Sequence, residues 1–339
     1  MRASKLPRHL IFSDPSMEAM TDEKVLRPKG DSAPEGAADH KNLIATSCNR
    51  AISHLETLWL FTRSDLKSMI YPNLVFGLAS AMSGPAMITN PSPSLVSILP
   101  NVPYVAIWLW LNLLLFNLAN QRLSSSIAED RVNKSWRPLP SKRISPEQTR
   151  VLLLVVVPTV IIGSLYLGAL VEVLLLVALT WMYNDLGGGD GDFLIRNMIN
   201  ALGMSCYSSG AIAMTCGNEC QLTLQGYQWI ALLGVIIMTT LQVQDMGDQE
   251  GDAIRERHTL PLVHGDSVAR WVIAIAVMGW SMGAPAFWNV AVQAYMAPVV
   301  LGGTLTFRTL MLRNVAADKG TWRIWPLWMM SLYLLPLWL

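Results

Sequence analysis

The stretch QVQDMGDQEGDAIRERHTLPLVHG, residues 242–265, directly follows an apolar run and carries three regularly spaced aspartates. Asp245, Asp248 and Asp252 stand at i, i+3 and i+7, so a helix would place them on one face. Three carboxylates on one face repel each other unless a positive group lies between them. Magnesium prefers oxygen ligands and usually takes one or two carboxylates together with substrate phosphates. The spacing predicts a magnesium site here, and a solvated acidic loop is the alternative.

The chain around this stretch is too apolar for an ordinary soluble enzyme. Of its 339 residues 52% are hydrophobic and only 14% are charged, and the mean hydropathy is +0.36. Soluble domains usually carry about 25% charged residues. The formal net charge of +1 implies no surface for polyanions, so we expect no nucleic-acid partner. Nothing in the sequence indicates an obligate protein partner, and the oligomeric state is left open.

Nine apolar runs approach the length of about 20 residues that a membrane-spanning helix needs. They cover residues 68–88, 103–121, 148–166, 168–184, 194–216, 226–244, 268–286, 290–312 and 322–339. The prediction is an all-α integral membrane bundle of nine transmembrane helices, comprising residues 51–339. Residues 1–50 are polar and interrupted by prolines, which predicts a disordered cytosolic tail.

The basic residues predict the orientation of these spans. All 25 lysines and arginines fall on the side of the N-terminus or at the helix ends on that side. Because basic residues mark the cytoplasmic side, the N-terminus and the acidic loops are predicted to be cytosolic. We expect a multi-pass protein of the endoplasmic reticulum, surrounded by the lipid bilayer. Cys216 and Cys220 would flank a lumenal loop, as two free thiols or, less favoured, as a disulfide.

Another polar segment, NQRLSSSIAEDRVNKSWRPLPSKRIS, spans residues 120–145 and also follows an apolar run. In chain order residues 120–145 are the first acidic segment and residues 242–265 the second. Glu129 and Asp130 are neighbours, so on a helix they point about 100° apart and cannot share one face. Which of the two meets a metal is left open. Arginine's planar fork of donors suits phosphate, and we assign Arg137, Arg196 and Arg257 to diphosphate contact. Ordinary anchoring of basic residues at the cytoplasmic side is the alternative.

Between the two polar segments lies a glycine-rich stretch, YNDLGGGDGDFLIRN, at residues 183–197. Its glycines do not follow the order of a nucleotide-binding fingerprint, so a nucleotide loop is excluded. The stretch is predicted to be a hinge between helices, with a lid over the site as the alternative.

Two motifs carry a resemblance to a known family. ED-x-x-NK-x-WRPLP at 129–140 and D-x-x-D-x-x-GD at 245–252, with TLP at 259–261, resemble the motifs of the UbiA superfamily of intramembrane prenyltransferases. The resemblance covers about residues 50–339. It implies nine transmembrane helices around a central cavity, and two aspartate-rich motifs that hold Mg²⁺ and, through it, a prenyl diphosphate.

One departure from the family pattern refines the predicted activity. Most members read N-x-x-x-D-x-x-x-D before the RP segment, and alignment on Asp130 places Arg122 and Ser126 at the other two positions. The altered motif resembles that of the fungal membrane-bound terpene cyclases of this superfamily. The resemblance therefore implies a Mg²⁺-dependent cyclase that ionises geranylgeranyl or farnesyl diphosphate. The alternative is a prenyltransferase that uses an aromatic or other acceptor, and a transporter is the least favoured reading.

The resemblance also assigns roles to individual residues. The metal ligands would be Glu129, Asp130, Asp245, Asp248 and Asp252, with Asn120 and Gln121 as weaker candidates. The diphosphate would be bound by Asn133, Lys134, Arg137, Arg196 and Arg257. Tyr183 is the aromatic residue that we expect to steady a carbocation.

Overall fold

The computed structural model describes residues 35–89, 94–217 and 221–339, with side chains from residue 46 onward. Every regular element in these residues is helical, and the extended pairing they contain is an isolated bridge between Ile88 and Leu222. The all-α prediction is confirmed.

Fifteen α-helices follow one another along the described chain. The first eight are α1 Glu35–Thr62, α2 Tyr71–Met82, α3 Leu95–Ile98, α4 Val102–Gln121, α5 Ser124–Asn133, α6 Pro146–Leu167, α7 Leu170–Asn184 and α8 Phe193–Cys216. The remainder are α9 Leu224–Thr240, α10 Gln249–Ile254, α11 Leu260–His264, α12 Asp266–Trp288, α13 Met296–Met311, α14 Val315–Trp322 and α15 Trp325–Tyr333. A π-helical turn, Leu66–Ile70, precedes α2, and a 3₁₀ segment, Leu241–Gly247, joins α9 to α10.

Four helical stretches in the described residues are long and apolar enough to cross a membrane. They are Leu95–Gln121, Pro146–Leu167, Leu224–Gly247 and Asp266–Trp288, and α7 is a shorter apolar helix. These agree with four of the nine predicted spans, but the count of nine is not confirmed. The predicted spans 68–88 and 322–339 contain α2 and α15, of 12 and 9 residues. Each of these helices starts at a proline in its first turn, a position where the missing N–H costs nothing.

Helix α6 illustrates how the sequence sets the ends of a span. The Ser145 hydroxyl accepts a hydrogen bond from the Gln148 backbone N–H, and the Gln148 side chain accepts one from the Ser145 N–H. This reciprocal cap satisfies two donors at the helix start. Gly168 ends the helix with φ of +84°, in the left-handed region that glycine adopts without strain. Leu154, Leu165 and Tyr166 on its surface are exposed, as expected for a face that meets lipid.

The packing of a few helices positions the ends of the predicted spans from which the acidic segments leave. α8 packs against α2, α7 and α9, and the short α5 packs against the short α10. Gly77 allows α2 to approach α8, since a Cβ at this position would lie 2.9 Å from the Ala211 backbone oxygen. The polar segments that contain the acidic residues are thereby brought to one end of the bundle.

Outside the predicted spans, the structure differs from the sequence-based expectations in the N-terminal tail and at a cysteine. α1 begins at Glu35, so residues 35–50 of the predicted tail are helical, and residues 1–34 lie outside the described residues. Cys216 is disulfide-bonded, so the expectation of a free thiol there is wrong. Cys48 and Cys206 are free, and Cys220 lies outside the described residues.

Candidate active site

A cavity of about 200 Å³ lies between the ends of α4, α7 and α8 and the 3₁₀ segment. One part of its wall is charged and the other part is apolar. The charged wall consists of Asp65, Glu129, Lys134, Arg137, Arg196, Asp245, Asp248, Asp252 and Arg257. Leu113, Phe116, Leu176 and Tyr207 are among the apolar residues. This polarity suits a ligand with an anionic head and a hydrocarbon tail.

The three aspartates of the second acidic segment all line the cavity, although they do not lie on one α-helix. Asp245 belongs to the 3₁₀ segment and Asp248 precedes α10, so the single helical face expected from the spacing is wrong. In a 3₁₀ helix residues i and i+3 eclipse, which still aligns Asp245 with Asp248. The i+4 step to Asp252 then follows the α-helical repeat.

The two neighbouring acids of the first segment point in different directions. Glu129 faces the cavity, whereas Asp130 accepts hydrogen bonds of 2.9 and 3.0 Å from Arg137 Nη1 and does not line the cavity. Of the two neighbours, Glu129 is therefore the one whose side chain lines the cavity. Asn120 lines the cavity and donates to Asn184 Oδ1 over 2.8 Å.

Gln121 does not reach the cavity. Its side chain is fully buried, and its Nε2 donates to the Phe61 backbone oxygen (2.9 Å) and to Asn117 Oδ1 (3.1 Å). The assignment of Gln121 as a metal ligand is not supported by this position, because its amide is used to tie α4 to α1. Asn133, assigned to diphosphate, also lies off the cavity wall, and its Nδ2 is 3.5 Å from the Asp248 backbone oxygen.

Two arginines connect the acidic segments. Arg257 Nη1 is 3.1 Å from Glu129 Oε1 and 2.8 Å from Asp252 Oδ1. Arg255 Nη1 is 3.1 Å from the other carboxylate oxygen of Glu129. Gly251 permits this approach of α10 to α5, since a Cβ there would lie 2.1 Å from Asn133 Nδ2. The two segments therefore meet at the same end of the bundle.

Sequence reasoning missed Asp190, in the glycine-rich stretch. Its carboxylate lies 2.7 Å from Arg255 Nε and 3.2 Å from Arg257 Nε, and its backbone oxygen accepts a hydrogen bond from the His258 N–H. Gly189 packs on Tyr183, because a Cβ would come within 2.6 Å of that ring. The glycine-rich stretch therefore contacts the two arginines and Tyr183. The run GGGDGD is the one sequence signal that could have indicated a role for Asp190.

The remaining predicted residues lie where a diphosphate and a tail could use them. Lys134, Arg137, Arg196 and Arg257 line the cavity, and Arg196 Nη1 pairs with Asp245 Oδ2 at 2.8 Å. Within the part of the chain that the structure describes, the Nε atoms of Arg137 and Arg196 are buried donors without a hydrogen-bond partner. Tyr183 also lines the cavity, with its ring 5.4 Å from that of Phe116.

Burial raises the pKa of these carboxyl groups, and the neighbouring arginines lower it. Burial raises the pKa of Asp252 to about 6, assisted by the charge of Asp245 and opposed by Arg196 and Arg257. Burial acts in the same direction on Glu129, but the charges of Arg257 and Arg255 outweigh it and hold its pKa below the usual value. Burial raises the pKa of Asp130 despite its pairing with Arg137.

The carboxylate oxygens of these residues show whether the site suits Mg²⁺. In the described residues no group of three or more His, Cys, Asp or Glu side chains is close enough to form a metal cage. Five carboxylates nevertheless line one cavity. Within the described residues Asp252 Oδ2 is buried without a hydrogen-bond partner and Asp248 has no ion pair. Such a set suits magnesium that arrives with phosphate oxygens rather than an all-protein site.

Comparisons with known proteins agree with the sequence motifs. A model of the UbiA prenyltransferase family matches residues 73–334. The fumagillin β-trans-bergamotene synthase of Aspergillus fumigatus is 31% identical over 253 residues, 73% of this chain and 80% of that protein. The somaliensene A/B synthase of Streptomyces somaliensis is 30% identical over 282 residues, covering 80% and 88%.

Solved structures show the same fold. A UbiA homologue from Archaeoglobus fulgidus, solved with GPP and Mg²⁺ bound, superposes with a TM-score of 0.57 at 12% identity, over 82% of this chain and 99% of that one. The resemblance inferred from the two motifs is thereby confirmed.

Proposed function

Because the chain belongs to the UbiA prenyltransferase family, we propose that it is a Mg²⁺-dependent membrane terpene cyclase. Its substrate would be a linear prenyl diphosphate, farnesyl or geranylgeranyl, and its products a cyclic terpene and diphosphate. The observation that carries this proposal is the single cavity in which paired arginines and carboxylates adjoin an apolar wall. An anionic head and a hydrocarbon tail of one molecule would be bound there together.

The charged wall would bind the diphosphate. Arg196, Arg257 and Lys134 present donors to phosphate oxygens, and hydrogen bonds between ionised groups are roughly twice as strong as neutral ones. Asp245, Asp248, Asp252 and Glu129 would hold Mg²⁺, which when bound neutralises charge on the departing diphosphate. Within the protein, Arg257 would exchange its contacts with Glu129 and Asp252 for phosphate oxygens.

The apolar wall would control the cation that remains after the C–O bond breaks. It keeps water away, so the allylic cation is not captured as an alcohol. The faces of Tyr183 and Phe116 would stabilise the cation by about 0.5–2 kcal/mol each. An internal double bond of the tail then attacks the cation. Loss of a proton to the released diphosphate gives the neutral ring.

The altered first motif favours cyclisation over transfer to an acceptor. Arg122 forms an ion pair with Asp185, and Ser126 Oγ accepts from Arg255 Nη1 over 2.5 Å. Neither position supplies a carboxylate ligand, since Arg122 pairs with Asp185 and Ser126 bonds Arg255. The names of the two relatives at 31% and 30% identity are those of terpene synthases, whereas a polyprenyl transferase of Hericium erinaceus is 28% identical.

The proposal includes a place in the cell. The chain would span the membrane nine times, with the charged mouth of the cavity and the N-terminus in the cytosol, in the endoplasmic reticulum. Aqueous Mg²⁺ and diphosphate could then enter and leave at the charged wall while the tail stays at membrane depth. The prenyl diphosphate and the lipid bilayer would be its partners, without a protein partner.

An assay without acceptor tests the reaction. Purified protein is incubated with each prenyl diphosphate and Mg²⁺, and released diphosphate and volatile hydrocarbon are measured. We expect a cyclic hydrocarbon that disappears with EDTA and in Asp248→Asn. Conversion only after addition of a phenolic acceptor would instead establish the prenyltransferase. Turnover retained by a folded Asp248→Asn protein would refute the proposed role of that carboxylate.

A further inference from the structure

The apolar end of the cavity is closed by two aromatic side chains, one behind the other. Tyr207 lines the cavity from α8 and is 4% exposed. Its ring packs edge-on against Trp108 of α4, with centroids 6.2 Å apart. Trp108 Nε1 in turn donates to Ser164 Oγ of α6 over 2.8 Å. This hydrogen bond fixes the indole behind the tyrosine.

Along the face of α8 that lines the cavity, the cavity ends at Tyr207. The lining residues of α8 recur at helical spacing from Arg196 through Asn200 and Gly203 to Tyr207. The next position on this face is Gly210, where a Cβ would lie 2.2 Å from Trp108 Cη2. Trp108 therefore fills the turn that would otherwise extend the cavity. The absence of a side chain at Gly210 is what makes room for the indole.

The helix provides a measure of depth between the charged end and this floor. Arg196 and Tyr207 are eleven positions apart, which at 1.5 Å per residue corresponds to about 16 Å along the helix. Side chains on a helix lean toward its N-terminus, so the side chains of Arg196 and Tyr207 are displaced in the same direction. The distance along the helix between them therefore stays about the same. The tail of a bound prenyl diphosphate starts where Arg196 binds the head and would reach the floor after about that distance.

This depth distinguishes between tail lengths. Each isoprene unit adds four chain bonds of about 1.5 Å, hence at most about 5 Å along the extended chain. Three units span about 15 Å and four span about 20 Å by the same bond length. The fourth unit of an extended tail would therefore pass the floor at Tyr207.

Resting on the proposed function, we infer that Tyr207, backed by Trp108, sets the tail length and selects the fifteen-carbon diphosphate over the twenty-carbon one. Leu113 and Leu176 pack with these two rings in one apolar cluster, so the floor is rigid. Tyr207 is thus a specificity residue that contacts the far end of the tail and takes no part in ionisation.

The test compares both substrates in a small set of variants. The kcat/KM for diphosphate release is measured with farnesyl and geranylgeranyl diphosphate for the wild type, Tyr207→Ala, Tyr207→Phe and Tyr71→Ala. Tyr71 is 55% exposed on α2, so its variant controls for loss of a tyrosine away from the floor. We expect at least a tenfold preference for the fifteen-carbon substrate in the wild type. The preference should fall at least tenfold in Tyr207→Ala and persist in Tyr207→Phe and Tyr71→Ala.

Equal use of both substrates by the wild type would overturn the inference, as would an unchanged preference in folded Tyr207→Ala. If Tyr207→Ala does not fold, Tyr207→Leu is measured against the same expectation. Thermal stabilisation by the two non-hydrolysable thiolodiphosphates, in the presence of Mg²⁺, ranks the tail lengths without turnover. A protein that binds the shorter analogue better and turns over neither substrate would refute the proposed reaction while supporting the length selection.

Discussion

Arg257 Nη1 lies 3.1 Å from Glu129 Oε1, although 128 positions separate the two residues in the chain. The same nitrogen lies 2.8 Å from Asp252 Oδ1. A single buried guanidinium thus joins the first acidic segment to the second. Since its partners are the proposed metal ligands, a diphosphate that binds Arg257 also frees those carboxylates.

Replacing Arg257 with lysine should impair diphosphate binding while retaining the charge. Lysine lacks the planar fork that contacts two oxygen atoms at once. The loss of one hydrogen bond to a charged group, about 1.5–3 kcal/mol, corresponds to roughly a ten- to hundredfold lower kcat/KM. Diphosphate release measures this, with Arg150→Lys as the control because Arg150 pairs with Glu147 on an exposed surface. An unaltered kcat/KM would contradict the proposed role.

The neighbours Glu129 and Asp130 should respond differently to the loss of charge. Glu129→Gln should raise the Mg²⁺ concentration needed for half-maximal activity, because Glu129 faces the cavity. Asp130→Asn should lower stability by about 1–3 kcal/mol, since the buried Arg137 would keep only its longer contact of 3.6 Å with the Asp65 carboxylate. Mg²⁺ titrations and thermal unfolding of both variants distinguish the effects. Exchanged phenotypes would show that Asp130 is the ligand instead.

Asp190 should act by positioning Arg255 and Arg257 rather than by touching the substrate. We expect Asp190→Asn to raise KM about tenfold with a smaller change in kcat, since only the alignment of the two guanidinium groups is lost. Asp192→Asn removes a charge from the same turn and keeps an N-cap residue for α8, so it serves as the matched control. A fall in kcat alone would argue that Asp190 contacts the reacting groups.

The sequence predicted the meeting of the two polar segments because each follows an apolar helix that ends on the same side. It also predicted that Asp245, Asp248 and Asp252 act together, since this depends on spacing within one segment. It could not decide between Glu129 and Asp130, because the choice depends on how α5 is rotated against α10. Asp190 was missed because its partners are 65 and 67 positions away.

The membrane helices were predicted less completely. Hydropathy located α4, α6, α9 and α12, whose apolar runs are long. Hydropathy predicted single spans over residues 290–312 and 322–339, where the chain forms the shorter helices α13 and α15. A continuous apolar sequence does not reveal the proline or the 3₁₀ turn that shortens the helix. The burial of Gln121 against Phe61 was equally invisible, since it depends on the packing of α1 against α4.

Gly251→Ala tests the close contact between α10 and α5. A Cβ 2.1 Å from Asn133 Nδ2 requires one helix to move, which typically costs about 1–3 kcal/mol. Gly163→Ala is the control, since a Cβ there meets nothing within 4 Å and alanine favours a helix. Thermal unfolding should show the first variant destabilised and the second unchanged or more stable. Recovery in Gly251→Ala with Asn133→Ala would identify the clash as the cause, and equal melting temperatures of the two glycine variants would exclude it.

The raised pKa of Asp252, about 6, predicts a specific pH dependence of stability in the metal-free protein. The folded state binds the proton more tightly than the unfolded chain, so the contribution is complete below the ordinary pKa and is lost as the pH rises through about 6. In EDTA, the wild type should therefore lose stability relative to Asp252→Asn as the pH rises from about 4 to about 6, and the difference should stay level at higher pH. Glu129→Gln is the control, because the pKa of Glu129 is lowered and its contribution is lost only at more acid pH. Parallel profiles of the wild type and Asp252→Asn would show that burial does not hold the Asp252 proton.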